Sequence, residues 1–551
     1  VEKFNIAQTL TESARKAPFQ PAIIYPAGRD LKGRALFQQM SFRQLNEECD
    51  RYAHGLSQYG FRKGDRTLVM VRPSMDFIAV VFALLKLGAV PVLIDPGMGR
   101  KSFLQCVAET EPVNFIGIPQ AHVMRVLFPK SFMTVKRVVT VGRRWFWKGA
   151  VLEDMRAENQ LPFPPAPTTT EDEAAIAFTS GSTGIPKGVV YLHGMFRAQI
   201  DLLRTEIGYE EGEVDLPGLY IFALFNPALQ VTTVWPDMDP TAPAKVNPAY
   251  LVEAIQTFGV TTSFGSPTIW KRVAHYCKSN QIELPSVKRI LMASAPVPPR
   301  LVGDMETLLP NGQVLTPFGA SEAMPITMLE GREILADTAE LSDQGKGMCV
   351  GYPLRGLTIK VIKITDDPIF EWDEAFVLPP NQVGEIVVKG PVVTRLYLNR
   401  PQKTAEAKIK DSDGSIWHRM GDVGYLDDKG RVWFCGRKDH RVETKEGLLF
   451  PVMAEAIFNQ HPEVERTALV GVGPYGDKRP VLLVETLRRR QYNSPSFRQK
   501  LTAELMEMGA KFSHTQNIKD VAFCEDFPVD VRHNAKIIRE RLTEWVEKQG
   551  I

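Results

Sequence analysis

Short apolar runs alternate with amphipathic stretches along most of the chain. Runs at 67–71, 90–94, 115–118 and 138–141 read as buried strands. Ser41 caps a helix that runs through Phe42-Arg43-Gln44-Leu45 toward Tyr59 and stops at Gly60. The longest apolar stretch, 77–94, is interrupted by Lys86, Gly88 and Pro91. It predicts a helix over 77–87, a turn and a strand, not a membrane span. Strands are also predicted at 174–178, 219–224, 260–265, 290–293 and 314–317, and helices at 196–207 and 267–274. Strands separated by helices imply a layered sheet of largely parallel strands.

From about residue 347 the pattern shortens to β segments at 356–364, 384–389, 423–426 and 432–435. A charged, glycine-led break follows at Gly436-Arg437-Lys438-Asp439-His440-Arg441. Beyond it, helices at 451–459, 495–509 and 537–548 alternate with strands at 467–471, 481–487 and 521–523. The fold class expected is α/β. A large N-terminal domain over 1–436 combines layered α/β subdomains with a β-rich subdomain, and a small mobile α+β C-terminal domain spans 441–551.

Composition narrows the class. The 551 residues suffice for several domains, and 44% hydrophobic with 24% charged residues is ordinary for a globular protein. A net charge of +2 gives no reason to expect nucleic acid. Six scattered cysteines form no Cys-x-x-Cys, and nine histidines form no His-Glu-x-x-His, so neither a disulfide scaffold nor a structural metal is expected. No signal peptide is visible, and a cytoplasmic location is expected. The cluster Arg143-Arg144-Trp145-Phe146-Trp147-Lys148 reads as a surface loop with aromatic packing, with contact to a membrane surface as the alternative.

The chemistry concentrates first in Thr179-Ser180-Gly181-Ser182-Thr183-Gly184-Ile185-Pro186-Lys187-Gly188. A proline- and acid-rich connector precedes it. Hydroxyls and free N–H groups donate to phosphate oxygens, glycines admit a close ligand, and Lys187 adds a positive charge. The spacing is not that of the common nucleotide P-loop: Pro186 stands where its second glycine belongs, and Gly188 follows the lysine. Other polar motifs sit at strand ends, where open α/β sheets bind ligands.

In order, that loop, Phe318-Gly319-Ala320-Ser321-Glu322, Met420-Gly421-Asp422, Gly436-Arg437-Lys438-Asp439 and Lys536 resemble the motifs of adenylate-forming enzymes. This superfamily includes acyl-CoA synthetases, adenylation domains and firefly luciferase. The resemblance covers nearly the whole chain. It implies ATP and Mg²⁺ as cofactors and attack of a carboxylate on the α-phosphate. Thr179, Ser180, Gly181, Ser182, Thr183 and Gly184 would hold the outer phosphates with Lys187, and Ser321 would donate to phosphate. Glu322 would bind Mg²⁺. Ser294-Ala295-Pro296 and Phe318-Gly319-Ala320 would line the adenine pocket. Asp422 would accept from the ribose hydroxyls, Arg437 would contact ribose or phosphate, and Lys536 would bridge the substrate carboxylate and α-phosphate. Asp439 matches the hinge position, within a hinge over 437–440.

Three departures stand out. Phe225-Asn226 replaces an aromatic-His pair, Pro451-Val452-Met453 replaces Pro-x-Glu, and the last motif reads Asn534-Ala535-Lys536 without its usual glycine. With Asp215–Tyr220 and Pro236–Thr241, these are similar to the β-lactone synthetase type of bacterial olefin biosynthesis. That type implies a long-chain 2-alkyl-3-hydroxy acid whose β-hydroxyl displaces AMP and closes a β-lactone. It also implies association with other enzymes of the pathway, including a β-lactone decarboxylase and a ketoreductase. His193 is a candidate base or a pocket-lining structural residue. Phe222, Phe225, Val231 and Trp235 are candidates for the apolar tunnel. The alternatives are a long-chain acyl-CoA or acyl-AMP ligase and a non-catalytic nucleotide-binding scaffold.

Overall fold

The computed structural model describes residues 2–156, 161–179, 186–487, 494–529 and 537–550. Three sheets position the site. The first has seven strands, and all its pairings are parallel except the hairpin of Glu173–Thr179 with Lys187–Leu192 at its edge. Thr179 and Lys187 are opposite each other in that hairpin, so the Gly/Ser loop is its tip.

The helix Phe42–Gln58 is capped by Ser41, as the sequence pattern indicated, and the Gln44 side chain returns a bond to the Ser41 backbone. It packs beside Met75–Leu87, which is buried over almost its whole surface and ends at the left-handed Gly88. The one cation in that apolar helix, Lys86, is buried and paired with Asp50.

The second sheet has fourteen strands. Thr262–Gly265, Arg289–Met292 and Gln313–Ala320 are parallel neighbours. The order then turns antiparallel through Ala323–Glu330, Met348–Pro353, Val432–Arg437, Ile416–Leu426 and Gly384–Lys389. The β-rich segment therefore continues the preceding sheet instead of forming one of its own. A third sheet, Val464–Val472, Arg479–Thr486 and Asp520–Phe523, carries the helices Pro451–Phe458, Pro495–Gly509 and Arg539–Gln549 over its own apolar clusters.

One expected strand is not a strand. Residues 219–224 form a short 3₁₀ helix, Tyr220–Leu224. Gly218 N–H bonds to Phe264 O at 2.6 Å, which carries the chain across the strand end. The apolar run lines a cavity and packs Tyr220 on Phe77, with ring centroids 5.6 Å apart. A continuous apolar run looks the same in sequence whether it fills a sheet or walls a pocket. The helices expected at 196–207 and 267–274 are found as His193–Thr205 and Pro267–Asn280.

Candidate active site

A cavity of about 2280 Å³ opens at the ends of the parallel strands and reaches into the C-terminal segment. Its walls include Lys187, Ser294–Pro296, Phe318–Glu322, Met420–Asp422 and Gly436–Asp439, but not His193. Ser294-Ala295-Pro296 follow the strand Arg289–Met292, and Ser294 takes a left-handed backbone with φ of 74°. Non-glycine residues adopt that region rarely and at functional sites more often than elsewhere. Phe318, Gly319 and Ala320 end the next strand. Gly319 faces its hairpin partner so closely that a Cβ would lie 2.7 Å from Ala323 O. A larger residue would push the hairpin out of the wall.

Asp422 and Arg437 are register partners on adjacent antiparallel strands. Arg437 Nη1 donates to Asp422 Oδ1 at 2.7 Å. The Asp422 charge holds the guanidinium pKa up despite its burial. Asp422 is 4% exposed, so the pair offers the cavity one fixed carboxylate and one fixed cation.

Across the cavity, Tyr397 links two motifs. Its hydroxyl donates to Glu322 Oε1 at 2.6 Å and accepts from Lys187 Nζ at 3.3 Å. The ammonium also lies 4.4 Å from the Tyr397 ring centroid. Burial, then the Glu322 charge, push the phenol pKa up, so Tyr397 stays a donor. Burial pushes Lys187 down while Glu322 opposes it. Thr394 N–H bonds to Glu322 O at 2.8 Å, and the buried Lys408 donates to Thr394 Oγ1 at 3.1 Å. Burial lowers the Lys408 pKa to about 7. Sequence reasoning missed Tyr397 and Lys408. Tyr397 lies eight residues beyond the β segment expected at 384–389, and only folding brings it to Glu322.

His193 is not in the cavity wall. It is buried at the start of its helix, where Nδ1 accepts from Ile6 N–H at 3.2 Å. Burial lowers its pKa to about 4. The imidazole anchors the N-terminal segment, a structural place, and is not among the residues lining the cavity, where the sequence reading put it. Val231 is likewise plain core, whereas Phe222, Phe225 and Trp235 do line the cavity. Their apolar arm carries few polar groups. Asn226 donates to Asp215 at 2.8 Å and Thr233 at 2.9 Å. Burial raises Asp215 to about 7, against the Asn226 bond that lowers it. Gln199 donates to Met324 O at 3.0 Å, and its buried Oε1 has no partner among the described residues.

Ser180, Gly181, Ser182, Thr183, Gly184 and Lys536 lie outside the described residues. Thr179 closes its strand opposite Lys187, and Ile537 and Arg539 line the cavity just beyond Lys536. Asp439 lines it too, from the 3₁₀ turn Lys438–His440. Among the described residues no cluster of three His, Cys, Asp or Glu could hold a metal alone. Glu322 is a single hard carboxylate, which suits a Mg²⁺ whose other ligands are phosphate oxygens and water.

The fold and this strand-end cavity define an adenylate-forming enzyme, a class that uses ATP and releases AMP. The chain belongs to the AMP-binding enzyme family, which matches residues 10–398. It is 47% identical over 553 residues to the olefin beta-lactone synthetase of Stenotrophomonas maltophilia, covering 99% of this chain and 98% of that protein. It is 46% identical over 558 residues to the olefin beta-lactone synthetase of Xanthomonas campestris pv. campestris, with 99% and 98% covered. Among solved structures, the anthranilate CoA ligase AuaEII with anthranoyl-AMP superposes with a TM-score of 0.80 at 18% identity, over 100% of this chain and 98% of that one. The amide bond synthetase McbA from Marinactinospora thermotolerans gives 0.79 at 20% identity, over 98% and 99%. These two establish the fold alone.

Proposed function

We propose that the protein is an ATP-dependent β-lactone synthetase acting on a long-chain 2-alkyl-3-hydroxy acid. Its full-length relatives at 46–47% identity support this reading. Within the site, the observation that carries it is the apolar arm walled by Phe222, Phe225 and Trp235 in the same cavity as Lys187 and Glu322, which suits a carboxylic acid with a long apolar chain. Gln199, also in the cavity wall, holds the carbonyl of Met324, two residues from Glu322.

In the first step a carboxylate oxygen attacks the α-phosphorus of ATP, and the bond to pyrophosphate breaks. Two anions meet, so neutralising charge is the main task. Lys187 and the 180–184 loop would hold the outer phosphates, with Ser321 donating to phosphate. Asp422 would accept from the ribose hydroxyls while Arg437 faces phosphate or ribose. Ser294–Pro296 and Phe318–Ala320 would enclose adenine. Glu322 would hold Mg²⁺, which neutralises phosphate charge when bound. Lys536 would bridge the carboxylate and α-phosphate.

In the second step the β-hydroxyl oxygen attacks the acyl carbonyl, the carbon–oxygen bond to AMP breaks, and the hydroxyl proton passes to the departing AMP phosphate or to water. Gln199 would orient that hydroxyl but, as an amide, would not take its proton. Holding nucleophile and carbonyl together can contribute roughly 7–11 kcal/mol to lowering a barrier. We also assign residues 1–436 and 441–551 to two domains that turn about Asp439 at 437–440. The function is tested by incubating the enzyme with ATP, Mg²⁺ and a 2-alkyl-3-hydroxy acid without CoA. AMP and a lactone carbonyl are expected, and AMP that appears only with CoA contradicts the reading.

A further inference from the structure

We propose that the loop over residues 142–149 docks the protein onto an anionic lipid surface. It joins the strands Arg137–Thr140 and Ala150–Val151 at the edge of the seven-stranded sheet. One of its three aromatic residues points inward and fixes the loop. Trp147 is buried, donates from Nε1 to Thr140 Oγ1 at 2.9 Å, and stacks on His122 with centroids 4.9 Å apart. His122 is itself held by Val139 O at 3.0 Å. The other two rings lean on Trp147 and face outward: Trp145 is 51% exposed and Phe146 72% exposed. Arg143, Arg144 and Lys148 are exposed around them, and none pairs with a carboxylate among the described residues. Arg144 is turned onto Gly149 O, which closes the loop on itself.

The charge around the loop is one-sided. Residues 112–152 hold seven Lys or Arg and no Asp or Glu, in a chain whose totals are 66 and 64. Exposed Trp and Phe with flanking cations suit the boundary of a bilayer, where the rings enter the headgroup layer and the cations meet lipid phosphates and carboxylates. An acidic protein would satisfy the cations but leaves no reason for two adjacent rings in water. The loop also adjoins the site. His122, which carries Trp147, belongs to the helix Pro119–Leu127, whose Gln120, Ala121 and Met124 line the cavity. A lipid-bound loop would set that wall against the membrane from which an apolar substrate arrives. The docking itself does not depend on the reaction.

Sedimentation of the full chain with vesicles tests it. Binding is expected to phosphatidylcholine–phosphatidylserine vesicles and not to phosphatidylcholine alone, and it should weaken as salt rises. Paired substitution of Trp145→Ser and Phe146→Ser, and separately of Arg143→Glu and Arg144→Glu, should each cut binding by about tenfold or more. Both variants should keep the wild-type melting temperature and turn over a short-chain soluble substrate at the wild-type rate. Trp145 emission should shift to the blue on vesicle addition, and Trp145→Phe should remove the shift. No binding to anionic vesicles, equal binding by both paired variants, or retention only by an acidic polypeptide would overturn the proposal.

Discussion

Tyr397 donates its hydroxyl hydrogen to Glu322 at 2.6 Å while accepting from Lys187 at 3.3 Å, so a single phenol sets the spacing of the cation and the carboxylate. Without it, Lys187 and Glu322 are free to close on each other and leave the phosphates. Tyr397→Phe should slow adenylation roughly 10- to 100-fold, the effect of one hydrogen bond to a charged group. Pyrophosphate exchange measures this directly, and an unchanged rate would remove Tyr397 from the site.

Asp422 and Arg437 offer a second test. Asp422→Asn keeps the shape but loses the charge that holds the Arg437 guanidinium in place. Affinity for a non-hydrolysable ATP analogue should fall by about tenfold or more, read by calorimetry. Substrate-acid affinity should change little.

His193 should behave as structure, not as a base. His193→Asn keeps an acceptor for Ile6 N–H but loses packing. The melting temperature should fall, while kcat of the folded enzyme stays within about twofold, since a lost general base would cost about a hundredfold or more.

Asp215 predicts a pH dependence of stability. Its folded pKa is raised by burial to about 7, above its ordinary value of 3.8. Between those values the folded state holds a proton that the unfolded chain has released. This contribution is full below about 4 and is lost as pH rises through about 7. Asp215→Asn cannot ionise, so its melting temperature relative to wild type should rise between pH 5 and pH 8. A constant difference across that range would mean that Asp215 titrates normally.

Gln199 should govern choice between hydroxylated and deoxy acids. A site that hydrogen-bonds a substrate hydroxyl rejects analogues lacking it, because its own polar group is left unpaired. Gln199→Leu should shrink the preference for the 3-hydroxy acid by at least about tenfold in kcat/KM. An unchanged ratio would assign Gln199 to packing.

The layered α/β framework was legible because its strands are short apolar blocks and its helices carry clear ends, such as Ser41 and Gly88. Where pattern and role diverged, the physics is specific. Residues 219–224 read as a strand because a pocket wall and a sheet interior are equally apolar. His193 followed a motif, yet its ring faces the N-terminal segment. The side chains at Asp422 and Arg437 were visible singly, but their pairing depends on antiparallel register across two strands. Tyr397 and Lys408 had no local signal, since their chemistry arises from neighbours more than 70 residues away in sequence for Tyr397 and Glu322.

The central claim is that the hydroxyl attacks an activated carboxyl, and oxygen labelling reads it most directly. The acid, labelled with ¹⁸O in both carboxylate oxygens, is turned over with ATP and Mg²⁺ without CoA. Attack on the α-phosphorus followed by loss of AMP carries one label into AMP and leaves one in the lactone carbonyl, with the unlabelled hydroxyl oxygen in the ring. A lactone holding both labels, with unlabelled AMP, would mean that the hydroxyl was activated instead and would contradict the account.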